Sequence, residues 1–245
     1  MPKLLERKVA VVTGGGRGIG RAICIRFARE GAKVAVVART EEDIAAVALE
    51  INESGGKAIS VQADVANEDD VRRMVKATVL KLGPVDILVN NAAKMILSPI
   101  ENTSLEDWEE LHAINLRGPF LCAREVLPSM KARRTGRIIN IGSLAGRRGY
   151  PEQGAYCASK HGLVGLSKVL ALETQDFDIR VHVVAPGGVL TELSAPLRES
   201  RGGVKLEEWM TAEEVAEACV YVCTQSGAAV SDELVLRRYK SEPWR

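Results

Sequence analysis

The sequence predicts an α/β fold, a doubly wound parallel sheet with helices on both faces, and three observations carry it. Short runs rich in β-branched residues recur along the chain, segments with helical patterning lie between them, and no low-complexity stretch or linker divides the series. Strands that alternate with helices pair in parallel, and the connecting helices pack on the sheet faces. At 245 residues with 46% apolar side chains, the chain can fill one large core, so residues 1–245 are expected to form a single domain. Only 4% of residues are aromatic, so aliphatic side chains must do the packing.

Lys8–Thr13 opens the series as a buried strand, followed by glycines at 14, 15, 16, 18 and 20. An amphipathic helix then runs from about Gly18 to Glu30 and stops at Gly31. Val34–Ala38 is the second strand, and Thr40 is placed to cap a helix that starts Glu41-Glu42-Asp43. Ala58–Gln62 and Val85–Asn90 are strands flanking a charged helix from Asn67 to about Leu82. Ser104 opens a long helix toward Met130, with Pro119 as an interruption and Pro128 near its end. Arg137–Gly142, Ile179–Val184 and Glu233–Leu236 complete the strands, and Thr211-Ala-Glu-Glu214 is a capping box for a helix to about Thr224.

Charge and cysteine usage exclude several classes. A net charge of +1 gives no reason to expect nucleic-acid or membrane partners. Five scattered cysteines suit reduced thiols in a cytoplasmic protein. Cys219 and Cys223 lie four apart, but no second pair or histidine completes a metal site, so buried thiols and no metal are expected. The first eight residues are too short and charged a segment for a signal peptide, and no apolar run reaches membrane-spanning length.

Two stretches carry chemistry. Strand, glycine turn and helix N-terminus together form an anion cradle, because glycine permits close backbone approach and free N–H groups favour phosphate. The spacing Thr13-Gly14-x-x-x-Gly18-x-Gly20 is neither Gly-x-Gly-x-x-Gly nor a Walker loop, yet a turn without a ligand seldom needs so many glycines. The second stretch, Ser143–Lys160, offers a hydroxyl at Ser143, a phenol at Tyr156 and an ammonium at Lys160. Tyr156 and Lys160 are one helical turn apart and share a face. A phenol titrates near ~10, and an adjacent cation is expected to lower that value toward neutrality. A surface Tyr–Lys pair has the same spacing, so the motif alone leaves both readings open.

Thr13-Gly14-x-x-x-Gly18-Ile19-Gly20, Asn90-Asn91-Ala92-Ala93, Asn115, Ser143, Tyr156-x-x-x-Lys160 and Pro186-Gly187-Gly188-Val189-x-Thr191 together resemble the short-chain dehydrogenase/reductase family, in order from about residue 8 to 191. Ala93 stands where the family usually has glycine. The resemblance implies a single Rossmann-like domain with a seven-stranded parallel sheet and reversible hydride transfer between a nicotinamide and a carbonyl or alcohol. It implies Tyr156 as acid or base, Ser143 as the orienting hydroxyl and Lys160 as partner of Tyr156 and of the nicotinamide ribose. It also implies that Asn115 braces a water linking Lys160 to solvent. Read by itself, Asn115 is an amide bonded to its own helix backbone.

The resemblance places Gly14, Gly18, Ile19 and Gly20 under the cofactor and Asp64 and Val65 at the adenine. Asn91 and Ala92 fall beside the adenine ribose, and Pro186, Gly187, Val189 and Thr191 against the nicotinamide carboxamide and pyrophosphate. The second strand ends in Ala38-Arg39, without the carboxylate that bonds a ribose 2′-hydroxyl, and Arg17 faces it. Two guanidiniums suit a 2′-phosphate, so NADP is expected in preference to NAD.

Leu190–Glu207 reads as a lid, about residues 190–207, over the substrate. Lys94, Arg147 and Arg148 follow active-site motifs and are compatible with an acidic substrate or with isolated surface cations. Reductases of 3-oxoacyl groups on acyl carrier protein share the motif set, and Arg134 falls where one carrier-holding cation would stand. Thr174–Asp178 is acidic where another would be wanted, which leaves small ketones, sugars and quinones open. The resemblance implies a homotetramer or homodimer. The basic segment after Leu236 departs from the family's usual ending, and Trp244 in it could anchor a neighbour. The rival from another class is a non-catalytic NADP-binding redox sensor.

Overall fold

The computed structural model describes residues 3–200 and 205–241. Seven parallel strands form one sheet in the order β3-β2-β1-β4-β5-β6-β7. They are β1 (Val9–Thr13), β2 (Lys33–Ala38), β3 (Lys57–Gln62), β4 (Ile87–Asn90), β5 (Gly136–Ile141), β6 (Ile179–Pro186) and β7 (Glu233–Leu236). The order reverses between β1 and β4, and at that switch point the strand C-termini splay their following loops apart to leave a crevice. β1 and β4 are buried at every position, as strands covered on both faces must be.

The α-helices among the described residues are α1 (Gly18–Arg29), α2 (Glu41–Glu53), α3 (Glu68–Leu82), α4 (Leu105–His112), α5 (Gly118–Arg133), α6 (Gly154–Thr174), α7 (Ala195–Ser200) and α8 (Ala212–Thr224). One apolar cluster packs α1, α2 and α8 on one face through Ile23, Phe27, Ile44 and Val215. The other packs α3 and α5 through Met74, Leu121 and Met130, together with Leu170 of α6. Asn67 caps α3 by accepting from Asp70 N, and the Thr211–Glu214 capping box is formed.

Three local expectations are corrected. Thr40 is the N-cap of α2, but its side chain accepts no cap hydrogen bond; three acidic residues in the first turn meet the helix dipole instead. The long helix from Ser104 is α4, then one π turn over Ala113–Arg117, then α5. Pro119 sits in the first turn of α5, where its missing N–H costs no α-helical bond, so it opens a segment rather than interrupting one. The strand expected to end at Val184 continues to Pro186, because β7 pairs with it as far as Leu236. Of the expected lid, residues 201–204 lie outside the described residues, as does Trp244.

Candidate active site

Everything expected to do chemistry gathers at the C-terminal edge of the sheet. Thr13 ends β1 fully buried; its Oγ1 donates to Val89 O at 3.2 Å and accepts from Asn91 N at 3.0 Å and Ala92 N at 3.2 Å. The Asn91 amide donates to Thr13 O at 2.9 Å and Gly14 O at 3.1 Å, so the loops after β1 and β4 form one unit. Gly14 and Gly18 have φ of +63° and +52°, which an L side chain rarely adopts. A Cβ on Gly20 would overlap the Gly14 carbonyl, so the start of α1 can lie against the turn only if that position is bare.

Above this floor lies a cleft of about 600 Å³. Gly14, Arg17, Gly18, Ile19, Arg39, Asp64, Val65, Asn91, Ala92 and Thr191 line it, as expected positions for a dinucleotide would. Gly20 does not line it and acts only by close packing. The bare glycine turn, the N-terminus of α1 and the Arg39 side chain suit the phosphates of such a group. Arg17 departs from its expected role: its guanidinium meets Glu192 at 2.5 Å, with both side chains 70% exposed. Asp64 Oδ1 accepts from Ala66 N at 2.9 Å, which fixes the turn after β3. Asp43, read from the sequence only as a first-turn acid, also lines the cleft and packs against Gly16.

A second cavity of about 180 Å³ adjoins the first and shares Ile19, Asn91 and Thr191 with it. Ser143, Tyr156, Lys160, Pro186, Gly187 and Val189 line it. Ser143 follows β5, and its Oγ accepts from Ala145 N at 3.1 Å. α6 delivers Tyr156 and Lys160 and is held to the sheet by a buried polar chain. Asn90 Nδ2 donates to Asn140 Oδ1 at 2.8 Å, Asn140 Nδ2 to Ser167 Oγ at 2.8 Å, and Ser167 Oγ to Leu163 O at 2.7 Å.

The Tyr156–Lys160 relation differs from expectation. Lys160 Nζ lies 5.7 Å from the centre of the Tyr156 ring and donates to Ile141 O at 2.8 Å. Burial pushes the Tyr156 phenol up to about 12, although a hydrogen bond to Ser143 pulls it down. Burial also pulls the Lys160 ammonium down to about 8. Desolvation, invisible to spacing along a helix, is the largest cause of both shifts.

Asn115 is buried on the π turn and lines neither cavity. It is bonded across to the loop after β4 rather than to its own helix: Oδ1 accepts from Lys94 N at 2.8 Å, and Nδ2 donates to Lys94 O at 2.9 Å and Ser159 Oγ at 3.1 Å. Of the surface cations, Lys94 pairs with Glu110 and Arg147 with Glu233 at 3.4 Å. Arg134 donates to Asp176 O at 2.6 Å. The sequence did not single out Gln153, Trp209 or Arg238, yet all three line the second cavity. The basic composition after Leu236 was the one signal available for Arg238.

The model of the family described as short chain dehydrogenase matches residues 8–202. The chain belongs to the short-chain dehydrogenase family. It is an oxidoreductase acting on CH–OH or C=O groups. This dehydrogenase is 39% identical to a 3-oxoacyl-[acyl-carrier-protein] reductase of Synechocystis over 228 residues, 92% of each chain. It is 44% identical to an uncharacterized oxidoreductase of Thermotoga maritima over 189 residues, 77% of this chain and 73% of that one. A metagenomic short-chain oxidoreductase solved in complex with NADP superposes with a TM-score of 0.84 at 33% identity, covering 97% of this dehydrogenase and 100% of that chain. A putative NAD(P)-dependent gluconate 5-dehydrogenase from Beutenbergia cavernae, with bound NADP, gives 0.86 at 35% identity and 97% coverage of both. Among the described residues no helix is long and apolar enough to cross a membrane, and no cluster of His, Cys, Asp or Glu could hold a metal.

Proposed function

We propose that this dehydrogenase is an NADP-dependent reductase of carbonyl compounds, with Tyr156, Ser143 and Lys160 as its reacting groups and Asn115 as their support. One observation carries the reading: these three side chains line a cavity that shares its wall with a glycine-floored cleft able to take a dinucleotide. When bound, NADPH supplies the hydride that reduces the carbonyl carbon. Tyr156 stays protonated at neutral pH and gives its proton to the carbonyl oxygen as negative charge develops there. Ser143 turns its O–H from the Tyr156 phenol to the same oxygen, orienting it and stabilising that charge. An ammonium has three donors; Lys160 uses one on Ile141 O and keeps two for the ribose hydroxyls and for proton resupply to Tyr156. At neutral pH burial holds the phenol in the protonated form that the reducing direction starts from.

The cofactor-binding set is Gly14, Gly18, Ile19, Gly20, Arg39, Asp64, Val65, Asn91, Ala92, Pro186, Gly187, Val189 and Thr191, with Arg17 recruited once Glu192 releases it. Arg39 at the end of β2, with no carboxylate at that position, supports NADP over NAD. The segment 190–207 serves as the lid, and residues 1–245 form one domain. We extend the same reading to a cytoplasmic homodimer or homotetramer. A second substrate reading, a 3-oxoacyl thioester, is favoured by the relatives named as 3-oxoacyl reductases. The acidic run Thr174–Asp178 speaks against carrier docking, whereas Arg134 is exposed and uses only one donor on Asp176 O.

The test is absorbance-monitored NADPH oxidation against a panel of 3-oxoacyl thioesters, sugars, quinones and simple ketones. Turnover by the wild type and its loss by about a thousandfold in Tyr156→Phe, with NADPH binding intact, is the expected result. Tight NADPH binding without turnover anywhere on the panel would instead favour a redox sensor.

A further inference from the structure

We propose that the cavity beside Tyr156 takes a carbonyl compound bearing a carboxylate, and that Arg238 and Arg148 receive that carboxylate; this rests on the reductase reading. The two guanidiniums come from segments ninety residues apart in sequence and line the same cavity of about 180 Å³. They differ from several cations in or near the two cavities. Arg17, Lys94, Arg147 and Lys240 each pair with a carboxylate, on Glu192, Glu110, Glu233 and Glu208. Among the described residues, neither Arg148 nor Arg238 does. Arg39, in the larger cleft, and Lys160, bonded to Ile141 O, also have no carboxylate partner among the described residues, but neither is an arginine of the smaller cavity.

Both are held by aromatic rings instead. The Arg238 guanidinium lies 5.3 Å from the centre of the Trp209 ring, and that of Arg148 lies 4.9 Å from the centre of the Tyr150 ring. Arg148 Nε donates to the Tyr150 hydroxyl at 2.6 Å, which leaves its two terminal nitrogens free. Stacking on a ring fixes the plane of a guanidinium without using its donors. Trp209 is 6% exposed, packs on Gly188, and its buried indole N–H has no partner among the described residues. A planar anion satisfies such forks in bidentate fashion, and a cavity this small suits a short chain between the anion and the reacting carbonyl. Leu144, Leu193 and Leu197 supply the apolar wall for that chain. Trp209 and Arg238 also lie beyond residues 8–202, the extent of the family match.

The experiment compares 3-oxobutanoate, 4-oxopentanoate and 5-oxohexanoate with their methyl esters. Turnover is measured with NADPH, and binding by isothermal titration into the NADP⁺-loaded protein, where no reduction can occur. For at least one chain length the wild type should prefer acid over ester in kcat/KM and in affinity by about tenfold or more. In Arg238→Gln and in Arg148→Gln the acid-to-ester ratio should fall by about tenfold, and Arg238→Lys should restore part of it. Esters bound as well as acids at all three lengths would overturn the proposal, as would variants that leave the ratio unchanged. A sulfonate or phosphonate of the same length binding more tightly than the carboxylate would also overturn it. If no ketone is turned over, the reductase reading fails, but the titration still decides the subsite. Selective acid binding lost in Arg238→Gln sustains it, and no binding removes it. Should Arg238→Gln not fold, Arg148→Gln and Arg238→Lys carry the same comparison.

Discussion

The two cavities at the sheet edge are built from different materials. The larger is floored by backbone: glycines with positive φ, a helix N-terminus and the Thr13–Asn91 hydrogen bonds, all contributed by loops that directly follow adjacent strands. The smaller is walled by long side chains from β5, α6, α7, Trp209 and the segment after β7. The first holds its shape through covalent geometry and tolerates little change. The second holds its shape through packing of side chains that can be exchanged one at a time. A scaffold divided this way keeps its redox partner constant and leaves the reacting molecule open to variation.

The sharpest way to break the contrast is to alter the floor. Gly20→Ala places a methyl group on the Gly14 backbone carbonyl and close to the Asn91 side-chain amide, which is itself bonded to Thr13 O and Gly14 O. It should cost about 3 kcal/mol in urea unfolding and abolish NADPH binding as followed by fluorescence. Retained binding would mean that the turn is not the rigid element described.

Arg39→Ala leaves the floor intact and removes a charge at its rim. The ratio of kcat/KM for NADPH over NADH should fall by about tenfold. An unchanged ratio would detach Arg39 from cofactor choice.

Lys160, in the smaller cavity, ties that cavity to the stability of the fold. Its folded pKa of about 8 lies below the ordinary lysine value of ~10.4, so between those pH values the unfolded chain binds the extra proton. Its contribution to stability therefore rises as pH climbs through that window, by up to about 1.4 kcal/mol per unit. Tyr156 acts in the opposite sense higher up: its folded value near 12 exceeds ~10, so the folded chain holds the extra proton there and stability falls as pH rises through that range. Urea midpoints of the cofactor-free protein should rise between pH 8 and 9.5 in the wild type relative to Lys160→Met, about the window named. Parallel profiles would show that Lys160 is better solvated than its burial implies.

The smallest effect concerns the Arg17–Glu192 pair, which spans the rim between the glycine turn and the segment before α7. Both side chains are largely exposed, so the pair is worth under ~1 kcal/mol. Glu192→Gln should free Arg17 and tighten NADPH binding by roughly two- to threefold at low ionic strength, with the gain fading as salt is added. Weaker binding in the variant would assign Glu192 a holding role instead.

Legibility in the sequence followed the same division. The strands, their parallel pairing and the glycine turn depend on local patterns: β-branched runs such as Val9–Thr13 and Val34–Val37, and glycine where φ is positive. Ser143, Tyr156 and Lys160 could be brought to one place because a strand end and a helix face fix where side chains point. The π turn over Ala113–Arg117 had no such signature, since the segment is an ordinary helical pattern and the extra residue is accommodated through the Asn115–Lys94 bonds. The state of the Tyr156 phenol was misread because spacing reports proximity of charge but not loss of water. Trp209 and Arg238 went unrecognised because the packing of Trp209 on Gly188 and of Arg238 over Trp209 depends on contacts between distant parts of the chain.

The five sulfhydryls have a use that follows from where they lie. All are buried, and they fall into three compartments: Cys24, Cys219 and Cys223 under one layer of helices, Cys122 under the other, and Cys157 beside Tyr156. Desolvation keeps those at Cys122 and Cys223 protonated, near 12, so an alkylating reagent meets neither exposure nor thiolate until the surrounding helices part. The order in which the three groups become labelled therefore records which side of the molecule opens first, with no probe introduced and no residue exchanged.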